Sequence, residues 1–169
     1  VMQPSDYREL SEGMGVHLVT TKSVNFDDDL PDMMKASDPI LGLINLARLR
    51  KVPLRKQYDM SNTHLTWNEI NYVDSCLGRY KQVRHKFDFT DMLENFVTEG
   101  SNFCPNFELC FVDEAQDLSP MQWDIAHLLD ERSKRMYVAG DDDQAIYRWA
   151  GADVDAFINL EGGSDTLSQ

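Results

Sequence analysis

Apolar residues along this chain follow two spacings. Residues 1–38 are mixed and weakly periodic, and from Asp38 to about residue 100 the spacing is helical. Asp6 to Met14 is a candidate short helix. Asp38-Pro39 predicts a second, with Asp38 as N-cap and Pro39 at the first position, where a missing N–H costs nothing. Ile40, Leu41, Leu43, Ile44, Leu46, Ala47 and Leu49 make this helix apolar around much of its circumference, which predicts burial. Thr66-Trp-Asn-Glu69 has the form of a capping box. The helix it opens carries Trp67, Ile70, Val73, Leu77 and Tyr80 on one face. Phe87 to Val97 predicts a shorter helix capped by Asp88 or Thr90, and Gly100 to Asn106 a loop.

Further along, two short apolar runs each stop at carboxylates. Leu109 to Val112 ends at Asp113 and Glu114, and Met136 to Ala139 at Gly140 and Asp141 to Asp143. Such runs predict strands buried on both faces, as in a parallel sheet. Between them Ser119, Pro120 and Gln122 form a capped helix start, followed by Trp123, Ile125, Ala126, Leu128 and Leu129 on one side. Strand, acidic loop and helix, twice over, predict an α/β fold. Ligands of open α/β sheets bind at the carboxyl ends of the strands, where both acidic loops fall. The expected division is a mainly helical region over 1–100 and an α/β segment over 101–169.

The net charge of −13, from 16 Lys and Arg against 29 Asp and Glu, argues against a general DNA-coating protein but leaves room for a local basic groove. Two acid-free stretches carry Arg48, Arg50, Lys51, Arg55 and Lys56, then Arg79, Lys81, Arg84 and Lys86. They read either as solvated helix faces or as a phosphate-contacting surface. No run approaches the roughly 20 apolar residues of a membrane span. The N-terminus resembles neither a signal nor a transit peptide. Cys76, Cys104 and Cys110 form no C-x-x-C pair, so reduced structural cysteines in an intracellular compartment are expected, without zinc. Asp27 to Asp29 with Asp32 read as a solvated loop or helix start in preference to a metal site.

Asp-Glu at a strand end has a specific chemical use. One carboxylate can hold hydrated magnesium, which takes one or two carboxylates plus phosphate oxygens and water. The adjacent glutamate can polarise a water for attack on a phosphoryl group. Gln144, on the next loop, is a neutral donor and acceptor able to orient that water or sense a γ-phosphate. A metal-dependent nuclease using Asp113, Glu114, Asp117 and Asp141 to Asp143 is one alternative. A non-catalytic DNA- or protein-interaction module is another.

The pattern as a whole resembles the UvrD/Rep/PcrA-type family of superfamily 1 helicases. Asp113-Glu-Ala-Gln-Asp117 resembles its Walker B motif. Gly140-Asp-Asp-Asp-Gln-Ala-Ile-Tyr-Arg-Trp-Ala-Gly-Ala-Asp153 resembles its third motif, and Phe87-Asp-Phe-Thr-Asp-Met-Leu93 a short element found upstream. The resemblance implies a partial RecA-like (P-loop NTPase) parallel sheet flanked by helices, with a helical insertion. It implies ATP and Mg2+ as cofactors, and single-stranded and duplex DNA as partners. It assigns Asp113 to the metal, Asp113, Glu114 and Gln144 to nucleotide binding and hydrolysis, and Tyr147 and Trp149 to the DNA path. Two departures stand out. Ala150-Gly-Ala152 replaces the Arg-Gly-Ala of many relatives, with Arg148 two positions before it. No G-x-x-x-x-G-K-[ST] loop occurs anywhere in the chain. The expectation is therefore an internal piece of a larger intracellular, DNA-associated helicase. It would need the remaining helicase domains of the same protein, bind ATP weakly or not at all by itself, and be inactive alone.

Overall fold

The computed structural model describes residues 1–16, 18, 38–145 and 151–163. The chain is helix-rich α/β and divides into two compact units, Val1–Phe103 and Cys104–Gln169.

The first unit holds α1 (Pro4–Met14), α2 (Pro39–Leu49), α3 (Leu54–Met60), α4 (Trp67–Arg84) and α5 (Phe89–Glu99). Its helix starts follow the local chemistry. The Asp38 carboxylate accepts the N–H groups of Ile40 and Leu41 at the head of α2. Thr66 and Glu69 complete the box at α4, and Asp88 caps α5 with Asp91 reaching back. Ile40, Leu41, Leu43 and Ile44 of α2 pack with Ile70, Val73 and Leu77 of α4 and with Leu10 of α1 in one core. Each such side chain contributes roughly 1.5–3 kcal/mol on burial.

Ion pairs tie the same helices together. The Arg48 guanidinium of α2 reaches Asp88 (3.1 Å), Asp91 (2.5 Å) and Glu94 (2.7 Å). Lys81 of α4 reaches Asp88 (2.9 Å) and Asp91 (2.8 Å). Arg84 pairs with Glu9, Lys86 with Asp6, and Arg55 with Asp59. Among the described residues at least five of the nine cations in the two basic stretches thus meet carboxylates within this unit, Arg55 and Arg84 on solvated faces and Arg48 and Lys81 largely buried.

The second unit has two parallel strands, β1 (Cys110–Val112) and β2 (Met136–Val138), paired Cys110 to Met136, Phe111 to Tyr137 and Val112 to Val138. Between them α6 (Pro120–Glu131) starts on the expected Ser119–Gln122 box, and α7 (Val154–Ile158) follows β2. Val112 and Val138 face a core of Ala115, Trp123, Ala126 and Phe157. The other face differs from expectation. Phe111 is 70% and Tyr137 51% exposed, their rings stacked at 5.5 Å. With two strands and one packed face, alternate side chains must point away from the core. The expectation of strands buried on both faces is thereby corrected. The buried stripe of α6 is Met121, Trp123 and Ala126, while Ile125, Leu128 and Leu129 are half-buried.

Candidate phosphoryl-transfer site

Parallel pairing sends both acidic loops off the same edge of the sheet. The ladder continues past the strands: the Ala139 N–H donates to Val112 O (2.8 Å) and the Ala115 N–H to Ala139 O (2.9 Å). These bonds fix the roots of the two loops against each other.

Asp113 and Glu114 are exposed at the end of β1. Asp113 Oδ1 accepts the Glu114 N–H at 3.0 Å. Glu114 holds a left-handed backbone, φ 51° and ψ 40°. That conformation costs a non-glycine residue roughly 1–2 kcal/mol. It turns the chain sharply into a 3-10 turn over Ala115–Asp117, in which Ala115 and Gln116 are buried. The turn is anchored from behind. Leu118 O accepts the Asp153 N–H (2.8 Å), and the Trp123 indole N–H donates to Asp153 O (3.3 Å).

Gln144 is exposed on the loop after β2, within a 3-10 turn over Asp142–Gln144 that the Asp141 carboxylate caps. Its amide Nε2 donates to Asp141 Oδ2 at 2.5 Å. The two loops are joined by Gln116, which is 2% exposed. Gln116 Nε2 donates to Glu114 Oε2 at 2.7 Å, and its Oε1 accepts the Asp141 N–H at 3.0 Å. The structure thus brings Glu114 and Gln144 into one hydrogen-bonded chain through Gln116 and Asp141. Sequence reasoning gave Gln116 no role. The signal was a glutamine set between Ala115 and Leu118, where a solvated turn would not need a particular amide. Tyr147, Arg148, Trp149 and Ala150 lie outside the described residues, as does the Asp27 to Asp32 acid run.

Asp117 is the strained member of the set. Its Oδ1 is buried and accepts no hydrogen bond. Burial, with the Glu114 charge added, pushes its carboxyl above the ordinary carboxylate value.

Among the described residues no three His, Cys, Asp or Glu side chains converge into a metal cage. Magnesium does not require one, because phosphate oxygens and water fill most of its octahedron. The exposed Asp113 and Glu114 carboxylates fit that lesser demand. The donor set suits a cation delivered with a phosphate chain better than a free one. No described helix is long and apolar enough to cross a membrane.

Comparison with known proteins identifies the family. The UvrD/REP helicase N-terminal domain matches residues 16–163. The chain is similar to the ATP-dependent DNA helicase PcrA of Staphylococcus aureus, 40% identical over 124 residues, which cover 69% of this chain and 17% of that protein. PcrA of Leuconostoc citreum is 47% identical over 71 residues, covering 42% of this chain and 10% of its own. A probable DNA helicase II homolog of Mycoplasma genitalium is 29% identical over 117 residues, 65% of this chain and 16% of its own. The chain therefore spans 10 to 17% of the length of these relatives. With the domain match extending over nearly all of its residues, the chain belongs to the UvrD/REP helicase family.

Proposed function

We propose that this chain supplies the water-activating and magnesium-holding part of an ATP-dependent DNA helicase, which couples ATP hydrolysis to movement along single-stranded DNA and to strand separation. The observation that carries the reading is the placement of Asp113, Glu114 and Gln144 on adjacent loops at one edge of a parallel pair. In this reading β1 and β2 belong to a RecA-like sheet. Residues 101–169 are a segment of the motor core, and residues 1–100 are a mainly helical region with an insertion-like part. The protein works inside the cell on DNA.

Magnesium, when bound with ATP, neutralises charge on the phosphate oxygens. Asp113 would hold it. Glu114 would take the proton of the attacking water. Gln144, whose amide is held by Asp141, would contact the γ-phosphate or orient the water. Tyr147 and Trp149, which come next in the sequence after Gln144, would provide aromatic faces for DNA bases. Stacking of this kind is sequence-tolerant and contributes roughly 1–3 kcal/mol per base. The phosphate-gripping loop comes from outside these residues, since no G-x-x-x-x-G-K-[ST] occurs in the chain.

Two measurements test the reading. In the full-length protein, ATP hydrolysis requires magnesium, rises with single-stranded DNA, and is lost in Glu114→Gln. By calorimetry the 169-residue chain alone shows no magnesium-dependent ATP binding tighter than about millimolar, a free energy near −4 kcal/mol. Tight binding by the chain alone that Asp113→Ala with Glu114→Gln abolishes would overturn the assignment of the phosphate grip elsewhere. Manganese-dependent plasmid nicking without ATP would replace the helicase reading with a nuclease.

A further inference from the structure

We infer that Gln116 is a positioning residue that ties the orientation of the Glu114 carboxylate to the placement of the loop after β2. The inference rests on the proposed helicase reading and adds a residue to which that reading gives no role of its own. Gln116 lies fully inside the turn, and both ends of its amide are used. The NH2 end donates to Glu114 Oε2 at 2.7 Å and the carbonyl end accepts the Asp141 N–H at 3.0 Å. A buried amide satisfied at both ends transmits a shift of either partner, because losing one bond leaves a desolvated polar atom. Asp141 in turn holds Gln144 through Oδ2 at 2.5 Å and caps its turn. Gly140 shows how closely this bridge is fitted. A Cβ there would lie 2.6 Å from Gln116 Oε1 and 2.8 Å from Cζ of Phe157, so only glycine lets the second loop approach the amide. Displacement of the Gly140 to Gln144 loop therefore pulls on the group that holds the water-activating carboxylate.

The test compares Gln116→Met, Gln116→Glu and Gly140→Ala with wild type in the full-length protein, measuring kcat and KM for ATP with and without single-stranded DNA. Gln116→Met removes both bonds at similar volume. Gln116→Glu keeps an acceptor for the Asp141 N–H but replaces the donor to Glu114 with a carboxylate. Gly140→Ala displaces the amide without removing it. The expected result is a fall in DNA-stimulated kcat of about ten- to a hundredfold in all three, the loss of one hydrogen bond to a charged group. KM for ATP should move less than about twofold and the stimulation by DNA should shrink, the signature of an interaction used in the chemical step. Three results would overturn the inference while leaving the helicase reading intact. One is wild-type kcat in Gln116→Met when Glu114→Gln is inactive. The second is wild-type kcat in Gln116→Glu. The third is equal loss of kcat, KM and helical circular dichroism in every variant, which marks a purely structural role. Absence of Glu114-dependent hydrolysis in the wild type would instead remove the reading itself and this inference with it.

Discussion

In the helical unit Asp88, Asp91 and Glu94 each meet Arg48, and Lys81 adds to the first two. In the sheet unit, among the described residues, the partners of Asp113, Glu114 and Asp141 are neutral N–H groups: the Glu114 backbone, the Gln116 amide, the Asp143 backbone and the Gln144 amide. Both sets of acids cluster at a helix or turn start, so their local sequence context is alike. The difference lies in what the fold brings to them. Cations convert the first set into a brace between helices. The described neutral donors orient the second set without themselves cancelling its charge. A carboxylate cluster acquires its role from the sign of its neighbours.

The largest expected effect breaks the second half of this comparison. Glu114→Gln removes the carboxylate proposed as general base and should lower kcat of the full-length protein by about 10²–10⁴-fold. It should leave helical circular dichroism and thermal unfolding unchanged, because Glu114 is exposed and a glutamine Oε1 in its place can still accept the Gln116 amide. A large loss of thermal stability in this variant would make Glu114 a structural acid like Asp88.

The reverse pattern is expected for Arg48→Ala. Three carboxylates lose their shared guanidinium, and Asp88, with 8% of its side chain exposed, keeps only Lys81 as a charged partner. The cost should be about 3 kcal/mol, the low end of the range for breaking a buried pair. Urea unfolding followed by circular dichroism measures it. Arg48→Met keeps the apolar stem and separates lost charge from lost packing. An unchanged urea midpoint in both would show the brace to be decorative.

Acid sharpens the same half. Burial raises the Asp91 carboxyl, but the Lys81 hydrogen bond, the Asp88 backbone N–H and the Arg48 charge outweigh it and hold its pKa below 3.8. A depressed carboxylate contributes stability that is full above the unfolded value and is lost as pH falls through the folded one. The helical unit should therefore lose stability steeply below about pH 4. Asp91→Asn should be less stable than wild type at pH 7 and shallower in its acid limb. Asp6 and Glu69, each holding a backbone N–H near a helix start, shift the same way and keep the limb from vanishing. Parallel acid limbs in wild type and Asp91→Asn would refute the brace.

These contrasts also show what a sequence reader can reach. The caps at Asp38, Thr66, Asp88 and Ser119 were legible because an N-cap and its partner lie within three positions of each other. So was the buried stripe of α4, set by helical period alone. The pairing of Arg48 with Asp88 spans 40 positions and the Gln116 bond to Asp141 spans 25. No local pattern encodes either, which is why the basic stretches read as solvated faces or a phosphate-contacting surface and Gln116 carried no separate role. The exposed faces of Phe111 and Tyr137 failed for a related reason. An apolar run reports a strand's preference for burial, while the cover it receives depends on which other elements pack there.

Asp117 carries the smallest expected effect and tests whether the comparison holds within the sheet unit itself. It is an acid beside Glu114, with Oδ1 buried and unpartnered. Burial and the Glu114 charge raise its pKa above 3.8. The sign is opposite to that of Asp91. Folding favours the protonated form, so its contribution is full below 3.8 and is lost as pH rises through the folded value. At pH 7 the charged form is a cost. Asp117→Asn should then raise Tm at pH 7, by no more than about 2 °C given the size of the chain, and the gain should shrink near pH 4 as the wild-type acid becomes neutral. Differential scanning calorimetry at the two pH values reads both. A fall in Tm at pH 7 would mean that the ionised carboxylate is held by a favourable partner. Asp117 would then belong with the braced acids of the helical unit rather than with the uncancelled charge around Glu114.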